Sequence, residues 1–484
     1  MVSFIRRPIW VCLLVLVAGC GGGGSGGTVT PPPSPPPVGN RSPIITSATA
    51  VSVPENTADD FFQVSASDPD GDALRYSLSG TDAALFAISA AGKIRFLAAP
   101  DFEKPADANH DNVYDLQVNV SDGALEAQKP LAVTVTNVLD LTAITQVGGL
   151  YGTAVQVTEV PGQKRVFVAQ EDGQIFLVDP STQDTGSLYL TVPNSHSGTG
   201  TGMISIVAAP DYATSGFLYV MDLDDRTLRV IRYGRLNATQ ADPASAVTLL
   251  SMAVPRANLG GWIGFGPNNL LYVAIGDGDV RANRTDLSTR VAKVLRIDPS
   301  RDDFPGDATR NYGIPADNPF VGGGGAPEVY VYSIVHPHGG SFDGDNLYLG
   351  DGQEGTPTPA KINLIRPQDA GRGYNAGIGQ GPIIYVNAFL IGGSSASVGG
   401  FVYKGPSPQL AGQYIFFALG RTAAGIFSFP AAQLVQGTQR EAAEGTKLAD
   451  SPPGTVTSFG IDSDRNLYMT SLGAPSKLYV FRYN

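Results

Sequence analysis

Three groups of residues have types and spacings suited to chemistry. His336 and His338 in "VHPHGG" sit two apart, and alternate residues of an extended strand share a face, so two imidazoles can meet one ligand or one proton. The chain has 4 histidines, so a further imidazole ligand for a metal could come only from His110 or His196. Asn258 precedes the pair Gly260-Gly261, and Asp277 closes the apolar run "LLYVAIGD". An Asn amide hydrogen-bonds a substrate hydroxyl but has no lone pair basic enough to take its proton. The third group is acidic. Glu55, Asp68, Asp70, Asp101, Glu103 and Asp122 recur at turn positions between short apolar runs, an oxygen-rich pattern of the kind a hard cation such as calcium takes. Asp107, Asn109 and Asp111 in "DANHDN" alternate like the first half of an EF-hand loop. The missing glycine after Asp111 and the missing downstream glutamate argue against a complete one. The same side chains also suit Asx turns that bond their own backbone, and both readings stay open. "NSHSG" (194–198) is a glycine-rich loop with no strand–turn–helix setting for a serine nucleophile.

The elements that must position these groups are strands. Short apolar segments punctuated by Gly, Pro, Asn and Asp run through the chain, and no sustained helical period competes with them. From residue 141 onward a strand–turn–strand unit with an "LY" core recurs in "GFLYVMDL", "NLLYVAIGD", "DNLYLGD" and "RNLYMTSL". Imperfect repeats of this kind predict propeller blades of four strands, and the length accommodates about six. A jelly roll or stacked sandwiches is the architectural alternative. A composition change near residue 140 separates this glycine-rich module from the acidic one, residues 43–140.

The N-terminus bounds location and partners. Arg6 and Arg7 precede an apolar run too short to span a bilayer, and "VAGC" ends in Cys20 like a lipobox. Residues 1–19 read as a lipoprotein signal peptide, Cys20 as the lipidated residue, and the Gly/Ser- and Pro-rich residues 20–42 as a tether. With Gly21 after the cysteine, the expected destination is the outer membrane, facing periplasm or cell surface. Cys12 leaves with the leader, so no thiol remains for a disulfide or nucleophile. Loss of Arg6 and Arg7 leaves 30 basic against 44 acidic side chains, a balance that repels nucleic acid.

The order of acidic motifs over 43–140 resembles a cadherin repeat, a β-sandwich that binds calcium at its ends. That resemblance assigns Glu55, Asp68, Asp70, Asp101, Glu103 and Asp122 as metal ligands and adds Asn137 and Asp140, the remnant of the family's D-x-N-D-N in "TNVLD". Residues 141–484 resemble the glucose/sorbosone dehydrogenases, six-bladed propellers that oxidise sugars with pyrroloquinoline quinone and calcium. The frames are "GMISIVAAPDY" (202–212), "LGGWIGFGPNNLLYVAIGD" (259–277), "DLSTRVAKVLRIDP" (286–299), "ADNPF" (316–320) and "GGFVYKGPSPQLAGQYIFF" (399–417). The positions that carry the family's chemistry differ. Its catalytic His is Asn258; its G-L-R-N-P reads "SIVHP" (333–337), with Val335 for the arginine that contacts the quinone and His336 for Asn; its calcium-binding D-E-[IL]-N reads "AKIN" (360–363), with Ala360 for Asp and Lys361 beside it.

The expectation is an all-β chain, a cadherin-like β-sandwich plus a six-bladed β-propeller. It binds calcium and acts in cell-surface adhesion or in holding a carbohydrate or protein ligand, with homophilic contact a further option. Asn258, Val335, His336 and Ala360 mark a vestigial site, and Asn258, Asp277, His336 and His338 contact the ligand. The alternative is a quinone- and calcium-dependent aldose dehydrogenase.

Overall fold

In the computed structural model, residues 39–484 are described except for 103, 137–140, 183–184, 196–197, 199–200, 256–258, 353–359, 375–383, 387–395, 406, 408–409, 420–423, 437–439, 451–454, 474 and 484. Cys20, Glu103, Asn137, Asp140 and Asn258 therefore lie outside the described residues. Among the described residues strands dominate, the one α-helix is the single turn Tyr212–Ser215, and no helix is long and apolar enough to cross a membrane. The chain divides into two compact units, the first ending at Val135 and the second holding the rest together with residues 102–104.

The first unit is a sandwich. Strands Ala50–Pro54, Glu126–Thr136, Val113–Ser121 and Arg75–Ser79 form a four-stranded sheet, and Phe62–Gln63, Lys93–Phe96 and Phe86–Ile88 form a second. Alternation decides which side chains go inside. In Val113–Ser121, Tyr114, Leu116 and Val118 point inward and are buried, as period-two patterning requires. Phe86 and Phe96 of the smaller sheet meet the edge of the Tyr114 ring at centroid distances of 5.6 and 5.3 Å, which joins the two layers.

The second unit is a six-bladed propeller. Its inner strands are Ala154–Glu159, Gly202–Ala208, Gly261–Phe265, Pro337–Asp343, Ala396–Val402 and Thr455–Ile461, and each contacts the next around a closed ring. Each inner strand begins four antiparallel strands running outward; blade four adds Arg440–Glu441, paired parallel to Ile384–Val386, and blades three and four are joined into one nine-stranded sheet. The sixth blade is composite: its outermost strand, Leu141–Tyr151, comes from the start of the unit and pairs with Ser476–Tyr483 from its end. The recurring "LY" cores occupy the second strands of blades two, three, four and six, with Tyr219, Tyr272, Tyr348 and Tyr468 all buried. These strands read as nearly unbroken apolar runs because a blade is covered on both faces by its neighbours; every residue of Leu271–Ile275 is buried.

Inner strands of adjacent blades diverge, so backbone ladders cannot close the ring, and side chains bridge the gap instead. Gln156 Oε1 accepts from the Ile206 amide at 2.7 Å, Ser205 Oγ from the Ile263 amide at 3.1 Å, and Ser458 Oγ from the Val157 amide at 3.3 Å. Ser341 Oγ donates to the Gly400 carbonyl at 2.6 Å, and Thr457 Oγ1 to that of Ala154 at 2.9 Å. Between blades three and four a single parallel bridge, Gly261 to His338, does the same work. Each bridge satisfies a backbone group that would otherwise be left without a partner inside the unit. Replacing Ser205 with Ala leaves the buried Ile263 amide without its acceptor; the expected loss is about 1–3 kcal/mol, read by denaturant unfolding of the variant against the parent.

Candidate functional site

The inner strands enclose an axial cavity of ≈ 790 Å³. Its walls mix apolar side chains such as Ile204, Trp262, Phe342 and Phe401 with the bridging Gln156, Ser205, Ser341 and Ser458, whose polar atoms are already engaged between blades. Groups of other chemistry on its lining are Glu159, Glu171, His338, Lys404 and Arg465. Burial raises the pKa of Glu159, opposed by the charge of Arg465, and burial with the nearby Asp172 raises that of Glu171.

One mouth of this cavity is built by a device shared by blades one, two and four. A polar residue three positions after the aromatic of the second strand reaches the loop that leads into its own inner strand. In blade one Gln170 Oε1 accepts from the Gly152 amide at 2.9 Å. In blade two Asp222 accepts from Ser195 Oγ at 2.7 Å and pairs with Arg229. In blade four Asp351 Oδ1 accepts from the Val335 and His336 amides at 3.0 and 2.7 Å. Asp351 was not among the residues singled out in the sequence, although its place in "DNLYLGD", three after Tyr348, matches that of Asp222 after Tyr219.

The segment 333–338 therefore enters the mouth clamped by its backbone. Two glycines of the "LGGW…VAIGD" frame make room for it. Gly260, at φ +64°, approaches so closely that an added Cβ would lie 2.7 Å from the Pro337 carbonyl, and at Gly276 it would lie 2.5 Å from that of Val335. The Asp277 amide donates to the Val335 carbonyl at 2.9 Å. Val335, Asp277 and the Leu259–Gly260 backbone thus converge, and Ala360 enters through its neighbour Lys361, whose ammonium pairs with Asp351 at 3.2 Å. Asp277 was expected to meet a ligand, but it is buried and held by Arg284 at 2.6 Å, so it orders its own loop. Ala360 is core. His336 is buried, with its ring centroid 4.4 Å from that of His338. His338 lines the cavity and exposes its ring there; the cavity wall around it strips away bulk water, which, with a smaller push from His336, lowers its pKa to about 3. Its imidazole is neutral at ordinary pH, a hydrogen-bonding group and a weak base.

The cofactors implied by the sequence resemblance can be tested against these groups. A divalent cation needs free carboxylate oxygens, but both oxygens of Asp351 are committed, Oδ1 to two amides and Oδ2 to Lys361 and to Asn363 Nδ2 at 3.3 Å. A polyanionic quinone needs cations, but Val335 is apolar and buried, Arg284 and Lys361 are paired, and His338 is neutral. The described residues of this mouth fit neither group.

In the sandwich, the acidic residues come together in part. Asp70 is bound by Arg41 through Nε, Nη2 and the backbone amide at 3.0, 2.8 and 2.7 Å, which lowers its pKa. Asp122 takes the Leu125 and Ala124 amides, both at 2.7 Å, and the Asn40 side chain at 2.8 Å; these bonds lower its pKa, and its charge is felt at Asp70. Asp68 caps its turn through Oδ1, accepting from the Asp70 and Asp72 amides at 2.8 and 3.2 Å, while Oδ2 is buried without a hydrogen-bond partner. Asp107 forms a separate group, accepting from the Asp111 and Asn112 amides, and Asn109 donates to Asp111. Glu55 is buried and Asp101 half-buried. Among the described residues, no three His, Cys, Asp or Glu side chains converge as a metal cluster.

The second unit is a six-bladed propeller around an axial cavity, and the family model Glucose / Sorbosone dehydrogenase matches residues 153–374. Among known proteins the chain is similar to the Hedgehog-interacting protein of Mus musculus, 28% identical over 289 residues, 53% of this chain and 39% of that protein. The chain thus spans well under half the length of that relative. Among solved structures it is similar to a glucose dehydrogenase, with TM-score 0.56 and 16% identity over 71% of this chain and 100% of the other. It is also similar to the PQQ-bound aldose sugar dehydrogenase of Streptomyces coelicolor, with TM-score 0.55 and 18% identity over 71% and 98%. At these identities the structural likeness is one of fold.

The cavity-lining imidazole of His338 gives a pH dependence with a definite sign. Unfolded, His338 titrates near 6.5, and folded, near 3. Between those values the unfolded chain binds the extra proton, so stability falls as pH drops from 6.5 toward 3. His338→Gln is expected to lose Tm less steeply across that window than the parent; parallel curves from stepped-pH melts would count against this assignment.

Proposed function

We propose that the protein is a ligand-binding protein of the cell envelope that does not oxidise sugars. On this reading it is anchored through a lipidated Cys20, its propeller mouth and cavity hold a protein or carbohydrate ligand, and its acidic sandwich binds calcium. The observation that carries the proposal is the state of Asp351: its two oxygens are spent on holding the 335–336 backbone and pairing with Lys361, beside an apolar Val335. An oxidising site needs a base to accept a proton as hydride leaves and cations to hold the reduced quinone. At the mouth the described cations Arg284 and Lys361 are already paired, which leaves the quinone without its cation, and the groups able to accept a proton there are Glu171 and the weakly basic His338. A protein ligand is supported by the likeness to a relative named for interacting with another protein. A carbohydrate is supported by the neutral imidazole of His338 on a lining that also carries Trp262. Fold alone does not decide between binding and catalysis.

Purified full-length protein given pyrroloquinoline quinone, calcium, an aldose and an electron-accepting dye is expected to show no sustained dye reduction, and steady turnover would overturn the proposal. For the sandwich, calcium at the Asp68, Asp70 and Asp122 end would compete with Arg41 for the same carboxylates. Millimolar calcium is therefore expected to raise the sandwich's melting transition by a few degrees over chelator, as binding to the native state requires. Superimposable calorimetric traces would remove calcium from the reading.

A further inference from the structure

Lys361 stands directly opposite Asp351 across the antiparallel strands Asn346–Asp351 and Ala360–Ile365. Its Nζ lies 3.2 Å from Asp351 Oδ2 and donates to the Tyr374 carbonyl at 3.1 Å, and the two side chains are 11% and 0% exposed. A carboxylate this deep needs a counter-charge within reach, because an uncompensated buried ion is strongly unfavourable. That carboxylate also holds the Val335 and His336 amides, so whatever neutralises it fixes the entry of the fourth blade and the wall of the mouth.

We propose that Lys361 is a built-in cation, a tethered ammonium that takes the place of a metal ion at Asp351 and makes the propeller mouth independent of metal. Removing the ammonium would uncover a latent cation site. Among the described groups around the vacated position are oxygens: Asp351 Oδ2, the Tyr374 carbonyl and the Asn363 amide, whose Oδ1 is buried without a hydrogen-bond partner. An amide can turn its carbonyl toward a cation when the network changes. Oxygen ligands of mixed carboxylate and carbonyl type are the set a hard divalent ion takes. A side chain held in the sequence cannot be removed by a chelator or diluted away, whereas an exchangeable ion can. The inference concerns the chain's own ion pair and holds whichever ligand the cavity takes.

The test uses the full chain with Trp10→Phe, so that Trp262 on the cavity lining is the one tryptophan and its emission reports propeller unfolding separately from the sandwich. In the parent, the Trp262 transition is expected at the same temperature in chelator and in millimolar calcium. Lys361→Met is expected to melt roughly 5 °C lower in chelator and to recover at least about half of that in millimolar calcium. Lys361→Arg keeps the charge and stays indifferent to calcium, and the double change Asp351→Asn, Lys361→Met has no carboxylate to serve and shows no calcium response. A variant Lys361→Met that folds only with calcium present also supports the proposal. A calcium shift of the parent's Trp262 transition would overturn it by showing that an ion is already needed there. So would Lys361→Met melting like the parent in chelator, melting lower with no response to calcium, or folding in neither condition.

Discussion

Everything in the propeller depends on how backbone groups are satisfied where neighbouring blades diverge. A strand inside a blade has ladder partners, but an inner strand faces the next blade across a widening gap, and its amides and carbonyls there must find partners or remain costly. Gln156, Ser205, Ser341, Thr457 and Ser458 provide those partners, one junction after another. This has two effects. The blades are locked at a spacing that leaves an axial cavity, and the polar groups midway along the cavity are taken up in holding it open. Uncommitted chemistry is displaced toward the ends, where His338 and Glu171 lie on the lining.

The same logic explains what the sequence made legible. Blade cores are covered on both faces, so the second strands had to be apolar throughout, and "LLYVAI" or "LYVM" declares itself in one dimension. The bridging residues are invisible at that level, since Ser205 between Ile204 and Ile206 looks like any small polar residue in a strand. Asp351 escaped notice for a related reason: its partner Lys361 is ten residues away and is brought opposite only by strand register. In the sandwich, the acidic turns were legible as clusters. What could not be read was that Asn40 and Arg41, grouped with the tether by composition, would fold back onto Asp122 and Asp70. Residues 256–258, Asn258 among them, lie outside the described residues.

The mouth also shows backbone geometry persisting without the residue that best suits it. Ala292 and Ser333 both adopt left-handed conformations, φ 64° and 70°, that a glycine would take more readily. For side chains with a Cβ this costs on the order of 1–2 kcal/mol each. The cost is tolerated because surrounding bonds determine the path: the Ile334 amide donates to the Ala292 carbonyl, and the next two amides are held by Asp351.

The composite sixth blade ties the propeller to the order in which its chain is made. Strand Leu141–Tyr151 is the first of the unit to be produced, and its partner Ser476–Tyr483 the last. Until those final residues arrive, the first strand carries an open edge and the circle has a gap into which any exposed strand of another chain could pair. A chain shortened by one strand at its end would therefore lose more than one strand's worth of structure. It would become an open, self-adhesive arc, with no axis for a ligand to occupy.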